Sequence, residues 1–153
     1  MNHILFESPI GRLQLSVEDE HVAELKWADL SVEDVTPADS ELAIRVTAQL
    51  HAYFLNGETD WSIPLARLGT KFQQRVWNYL HTIPIGETRT YSDVAEVLNS
   101  SARAIGNACR ANPFVIIIPC HRVVSKIGLG GYDGQIEGNN IRIKKWLLEH
   151  ERR

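Results

Sequence analysis

The sequence predicts an α+β protein in two parts: a small N-terminal part with an antiparallel sheet and one helix, residues 1–66, and a mostly helical part with a helix-turn-helix, residues 68–153. Three observations carry this. Near the N-terminus apolar residues alternate with polar ones, which is the period of a half-buried strand. From residue 70 onward, capping signals open segments with helical spacing. An apolar run then ends in Pro119-Cys120-His121, placing a thiol and an imidazole behind a hard stop. Charge divides at the same place. Residues 1–69 hold four Lys/Arg against twelve Asp/Glu, and residues 70–153 hold twelve against seven. A basic half joined to an acidic half implies that the basic half meets a polyanion, even though the net charge is −3.

No apolar run approaches the length of a membrane span. Met1-Asn2-His3 lacks the charged-then-apolar start of a signal peptide. Two Cys eleven positions apart make no disulfide framework. The chain reads as cytoplasmic, with reduced thiols. His3, His21 and His51 have no Cys or carboxylate at ligand spacing, so no metal site is expected.

In order, Ile4-Leu5-Phe6 is a first strand and Ser8-Pro9-Ile10-Gly11 a turn. Leu13, Leu15 and Val17 make a half-buried strand, Glu18 to His21 a turn, and Ala23, Leu25 and Trp27 a third strand. The acidic stretch 28–40, with Pro37, reads as a loop. Ser40 caps a helix over 41–55 that Asn56-Gly57 ends, and Trp61 to Leu65 suggests a further short strand. Thr70 with Gln73 opens a helix whose inner face is Phe72, Val76, Trp77 and Leu80. Thr90 with Asp93 opens a short helix from Tyr91 to Leu98. Asn99-Ser100-Ser101 turns the chain into a helix over 102–111, which completes a helix-turn-helix. On that second helix Arg103 and Arg110 share a face with Gly106 and Asn107 between them, so a nucleic-acid backbone could approach closely. Ile105, Cys109 and Asn112 lie on the other side, which makes Cys109 a packing residue.

Asn112-Pro113 ends that helix and feeds Phe114–Ile118, a buried strand or core segment, into Cys120-His121. Chemistry on Cys needs the thiolate, and a neighbouring base supplies it. Taken alone, the dipeptide is better explained as a buried core Cys beside a structural His. Its position directly after a DNA-reading helix shifts the balance toward a protein that acts chemically on DNA. A Gly-rich loop with one aromatic, Gly128 to Gly134 around Tyr132, follows. It lacks the Lys-Ser/Thr ending of a phosphate loop. The last helix begins near Asn140, with Ile141, Trp146, Leu147 and Leu148 on its apolar side. Glu151 either reaches inward or frays at the surface.

Pro119-Cys120-His121-Arg122-Val123-Val124, Ala102-Arg103-Ala104-Ile105-Gly106, Asn112-Pro113, the loop with Tyr132 and Trp146 to Glu151 together resemble the O6-alkylguanine-DNA alkyltransferases. The resemblance covers residues 68–153 in order. It implies a DNA repair methyltransferase that moves the alkyl group of O6-alkylguanine, and of O4-alkylthymine if accepted, irreversibly to its own Cys120, once per molecule and without a cofactor. It further implies that His121 deprotonates Cys120 through a water, that Glu151 orients His121, and that Asn112 braces the turn. Tyr91 would bind the base and supply its proton. Arg103 would fill the stack left by the flipped nucleotide. Ala102, Gly106, Arg110 and Tyr91 would face DNA in the minor groove. Val123, Tyr132, Asp133 and Cys109 would line the base pocket. The partner implied is double-stranded DNA bound by a monomer, with cooperativity left open. A thiol hydrolase and a non-catalytic sensor of alkylated DNA are the alternatives. The segment from Tyr132 to Trp146 carries extra residues, Gly138-Asn139-Asn140 among them, and Gln135 and Asp133 depart from the usual pattern.

Overall fold

The computed structural model describes residues 2–28, 40–57, 60–132 and 139–152. They form two compact units, Met1–Arg67 and Leu68–Arg153. The acidic stretch read as a loop and Asp133 to Gly138 lie outside the described residues, apart from Ala28 and Ser40 at the ends of the stretch.

In the first unit β1 (Asn2–Ser8), β2 (Gly11–Glu18) and β3 (His21–Trp27) form an antiparallel sheet in that order. Ile4 faces Leu15, and Leu15 faces Leu25. Asp19 and Glu20 carry φ of 50° and 63° between β2 and β3. Two left-handed residues in a two-residue turn give the twist that suits the flanking strands. The expectation of a half-buried β2 needs correction, because Gln14 and Ser16 are buried along with Leu13 and Leu15. Their polar groups are met by His3, whose Nδ1 lies 2.9 Å from Ser16 Oγ and 3.2 Å from Gln14 Nε2. Helix α1 (Glu41–Asn56) begins where the Ala43 N–H donates to Ser40 Oγ and ends at left-handed Gly57. Its stripe Leu42, Val46, Leu50, Tyr53 and Phe54 is buried, and Phe54 stacks on Phe6 of β1 with ring centres 6.0 Å apart. The strand expected at 61–65 shrinks to one bridge, Val22 with Leu65. Pro64 accepts from Val22 but has no N–H to give back, so the ladder does not extend.

The second unit holds α2 (Lys71–Leu80), α3 (Tyr91–Leu98), α4 (Ala102–Arg110) and α5 (Asn139–Glu151). Both capping boxes form, Thr70 with Gln73 and Thr90 with Asp93. Asn99, left-handed at φ 54°, turns α3 into Ser101, whose hydroxyl accepts from Ala104. The Trp77 indole donates to Ala108 O at 2.8 Å, and an Arg75 guanidinium N–H donates to Leu98 O at 3.0 Å. These bonds fasten α2 to both helices of the pair.

A short parallel ladder has no counterpart in the sequence expectations. Arg89–Thr90 (β4) pairs with Val123–Val124 (β5). It joins the start of the helix-turn-helix to the residues just after Cys120-His121.

Gly69 sits before α2 with φ 84°, and a Cβ there would stand 2.7 Å from the Trp77 ring and 2.6 Å from Gln73 Oε1. Gly69→Ala is therefore expected to destabilise the protein by about 1–3 kcal/mol, because a rigid buried ring must move. Gly128→Ala, with nothing within 4 Å, is the control and should be near neutral in space. Chemical denaturation of both variants measures the difference.

Candidate active site

Phe114–Ile118 is buried, but it is a coil of tight turns rather than a strand. Ile118 N–H donates back to Phe114 O at 2.9 Å, Ile117 N–H to Val115 O at 2.8 Å, and Cys120 N–H to Ile118 O at 2.8 Å. Ile116 has φ 72°. A β-branched residue rarely enters the left-handed region, and holding it there costs about 1–3 kcal/mol. Asn112 clamps this coil at both ends. Its Nδ2 donates to Ile118 O at 2.8 Å, and its Oδ1 accepts from Phe114 N–H at 2.9 Å. The coil delivers Cys120 to a single 3-10 turn, Cys120–Arg122, that runs straight into β5.

The Cys120 thiol is buried, and His121 has no solvent exposure. His121 Nε2 lies 2.6 Å from Glu151 Oε2. Arg122 grips the same carboxylate with two groups, Nε to Oε1 at 2.8 Å and Nη2 to Oε2 at 3.1 Å, and its Nη1 donates to Ile83 O at 2.6 Å. Burial pushes the Glu151 carboxyl up, but the His121 and Arg122 hydrogen bonds outweigh it and hold the group well below the usual carboxylate range. Glu151 is therefore an anion that only accepts, so Nε2 carries the imidazole proton. Burial holds His121 below its ordinary value against the pull of Glu151. The ring is neutral, and its lone pair is on Nδ1. That nitrogen has no hydrogen-bond partner among the described residues. A neutral imidazole oriented by a carboxylate, with its other nitrogen buried and without a partner among the described residues, has the chemistry of a general base, and a thiol stands one residue before it in the chain.

Tyr91, the first residue of α3, points its hydroxyl at Gly131 O, 3.4 Å away. Burial, then the charges of Cys109 and Cys120, push its phenol far above the ordinary value, so it keeps its proton. Gly130, at φ 74°, makes room for the ring: a Cβ there would stand 2.9 Å from Tyr91 Cε2. Burial raises the Cys109 thiol strongly, and the Cys120 charge adds to it. Cys109 is half-buried on α4. Val123 and Tyr132 are buried as well. The Val123 carbonyl is already an acceptor for Lys144, leaving its second lone pair. Asp133 lies outside the described residues.

On α4, Ala102, Arg103, Asn107 and Arg110 are exposed, while Ile105 and Ala108 are buried. Gly106 is half-buried, and a Cβ there would lie 4.0 Å from the Tyr91 ring. The basic face of α4 therefore comes close to the Tyr91 side of the site through a residue that has no side chain.

Sequence reasoning missed Lys144. It is completely buried, and its Nζ donates to Val123 O at 2.7 Å and Gly131 O at 2.8 Å. The signal was there. Lys144 precedes Leu147, Leu148 and Glu151 by three, four and seven residues, which puts it on their face of α5.

Among the described residues no three His, Cys, Asp or Glu side chains gather to hold a metal ion. The fold and site define a thiol-bearing protein of α+β class with a helix-turn-helix in the unit that carries Cys120. Residues 71–153 match the 6-O-methylguanine DNA methyltransferase DNA binding domain, and residues 1–67 match the ribonuclease-like domain of the same proteins. A methylated-DNA–protein-cysteine methyltransferase of Methanosarcina acetivorans is 36% identical over 99% of this chain and 98% of its own. One from Mycobacterium leprae is 41% identical over 95% and 89%. The crystal structure of the Mycobacterium tuberculosis O6-methylguanine methyltransferase superposes with a TM-score of 0.83 at 36% identity, covering 99% of this chain and 92% of that one. The OGT of the same organism, in complex with DNA, gives 0.83 at 37% identity over 99% and 93%. The chain belongs to the 6-O-methylguanine DNA methyltransferase family, whose activity is transfer of the alkyl group from DNA to a cysteine of the protein itself. A sensor without chemistry is not favoured.

The buried network sets an acid limit on stability. His121 titrates below its ordinary 6.5 in the folded state and Glu151 below its ordinary 4.5. In each case the unfolded chain binds the proton first. Stability from these groups is present above those ordinary values and is lost as pH falls through them. The melting temperature should drop in two steps, and His121→Gln should remove the step below about pH 6.5 and shrink, without abolishing, the one below about pH 4.5, because Arg122 still holds the Glu151 anion. Calorimetry across pH checks this, and identical profiles would contradict the neutral, buried imidazole.

Proposed function

We propose that Cys120 is the alkyl acceptor and that the groups around it divide the reaction as follows. His121 Nδ1 takes the thiol proton, directly or through one water, while Glu151 fixes the tautomer. The thiolate attacks the alkyl carbon in line. The sulfur–carbon bond forms, the bond from carbon to O6 breaks, and its electron pair passes to the guanine. A guanine anion leaves poorly, so Tyr91 gives its proton to a ring nitrogen and regains one from the His121 imidazolium. The net result is that the thiol proton ends on guanine. The product is a neutral thioether, which is inert, so each molecule acts once. The observation that carries this reading is the 2.6 Å contact of His121 Nε2 with an anionic Glu151, which leaves the buried Nδ1 of the residue next to Cys120 as a base.

O6 lies inside the duplex, so the nucleotide must be turned out at a cost of roughly a few kcal/mol. Arg103, exposed near the start of α4, fills the stack and offsets part of that cost. Ala102 and half-buried Gly106 bring the helix close to a narrow minor groove, and Arg110 meets phosphate. Val123, Tyr132, Asp133 and Cys109 hold the base, and Asn112 keeps the coil in place. We place the protein in the cytoplasm, where its two thiols stay reduced, acting on duplex DNA as a monomer. Residues 1–66 support residues 68–153, which carry the chemistry.

Mass spectrometry after mixing with an O6-methylguanine duplex tests the assignment. One methyl on the Cys120 peptide per lesion repaired is expected, and Cys120→Ser should bind but not transfer. A methyl on Cys109, or repair by Cys120→Ser, would overturn it. Arg103→Ala should slow repair in duplex about tenfold or more while sparing reaction with free O6-methylguanine, since about 1.4 kcal/mol of lost stack filling is a factor of ten. Equal losses would remove Arg103 from that role.

A further inference from the structure

The first helix of the helix-turn-helix ends without a cation of its own. The carbonyl end of a helix carries partial negative charge, which a nearby Lys, Arg or His relieves. The last turn of α3 holds exposed Glu96 and no basic residue. The N–H groups of Asn99 and Ser100 turn back to Glu96 O at 3.3 Å and Ala95 O at 2.8 Å. Leu98 O, the final carbonyl of α3, is met from another element: Arg75 of α2 donates to it at 3.0 Å.

Arg75 is exposed, and an exposed arginine ordinarily meets water or a carboxylate. No carboxylate pairs with Arg75 among the described residues. Two positions on, the buried Trp77 indole donates to Ala108 O in the last turn of α4 at 2.8 Å. One helix thus holds the carbonyl ends of both members of the pair. Trp77 does so from the core, and Arg75 from the rim, where residues 99–101 turn the chain toward α4. Leu98 precedes Arg103 by five positions. A slack joint at Leu98 changes the angle at which α4 leaves α3, and Arg103, which must enter the base stack, moves with it. A free base reaching Cys120 needs no such alignment.

We propose that Arg75 is a positioning residue for duplex DNA: by closing the carbonyl end of α3 it fixes the angle at which α4 meets the double helix. The proposal rests on α4 facing DNA and on Arg103 filling the stack. Two other roles of a surface arginine would leave different traces. If Arg75 contacted phosphate, its loss would flatten the salt dependence of affinity by about 0.9 in log–log slope. If it only stabilised the fold, duplex and free base would suffer alike.

Repair of an O6-methylguanine duplex, reaction with free O6-methylguanine and duplex affinity across salt are compared in full-length wild type, Arg75→Met, Arg75→Lys and Lys71→Met, with circular dichroism checking the fold. Lys71 is exposed four positions earlier on the same side of α2, so Lys71→Met removes an equal charge without touching α3. Arg75→Met is expected to repair duplex about tenfold more slowly, the order of one charge-assisted hydrogen bond, with the free-base rate and the salt slope as in wild type. Lys71→Met should fall well short of that loss, and Arg75→Lys, which can still donate to Leu98 O, should recover most of it. Unchanged duplex repair, equal losses on both substrates, a slope shallower by about 0.9, or a Lys71→Met loss as large as that of Arg75→Met would overturn the proposal. If Arg75→Met does not fold, Arg75→Lys decides: duplex repair near wild type supports the proposal, and a loss of about tenfold overturns it. Arg103→Ala in the same assays tests the reading beneath it. Equal losses there remove that reading, whereas the expected split in Arg103→Ala with none in Arg75→Met removes the role of Arg75 alone.

Discussion

The buried carboxylate of Glu151 is the constraint on which the site depends. It sits at the end of α5, where a helix would ordinarily fray, yet its side chain is 1% exposed and takes hydrogen bonds from His121 and twice from Arg122. Removing one member of such a buried set costs about 3–5 kcal/mol, because the others are left charged and unpaired. The network therefore pins the last turn of α5 against the 3-10 turn. It also fixes the chemistry. As an acceptor only, the carboxylate forces the imidazole proton onto Nε2 and leaves Nδ1 basic. Structure and reactivity follow from the same three side chains.

The second constraint is backbone strain held in place. Ile116 adopts a conformation that a β-branched residue avoids, and the coil around it survives because Asn112 bonds at both ends and every side chain from Phe114 to Ile118 is buried. The β4–β5 ladder continues this restraint from Val123 to Thr90, which is the cap of α3. Tyr91 is the next residue. A rigid path of a few residues thus links the turn that carries Cys120 to Tyr91 and to the start of the helix-turn-helix. Precision of this kind matters because a small misplacement of reacting atoms is costly in rate.

Much of the fold was legible because its signals are local. Two capping boxes, a left-handed Asn99 turn and strand alternation each sit within a few residues, and each forms as the spacing dictates. Non-local pairings were not legible. The β4–β5 ladder joins residues far apart through two-residue strands that leave no periodicity, and the coil at 114–118 has the composition of a strand. Pro64 explains why another strand-like stretch yields one bridge. At the site, Cys120 and His121 stand out by type, whereas Glu151 is ambiguous until the helix face is known. Lys144 was overlooked because lysine is rarely fully buried, so composition argued against the position that helical phase supports.

Charge explains why this arrangement suits a reaction done once. In the second unit the exposed charges favour a polyanion, while inside it the buried Arg122 and Glu151 neutralise each other. That pair holds the His121 tautomer ready to take the Cys120 proton when substrate arrives. Transfer ends that readiness, since a thioether has no proton to give. An enzyme that turned over would have to break the new sulfur–carbon bond and restore the thiol. A protein that reacts a single time need not, and can keep Cys120 buried on a rigid turn until the one lesion it meets.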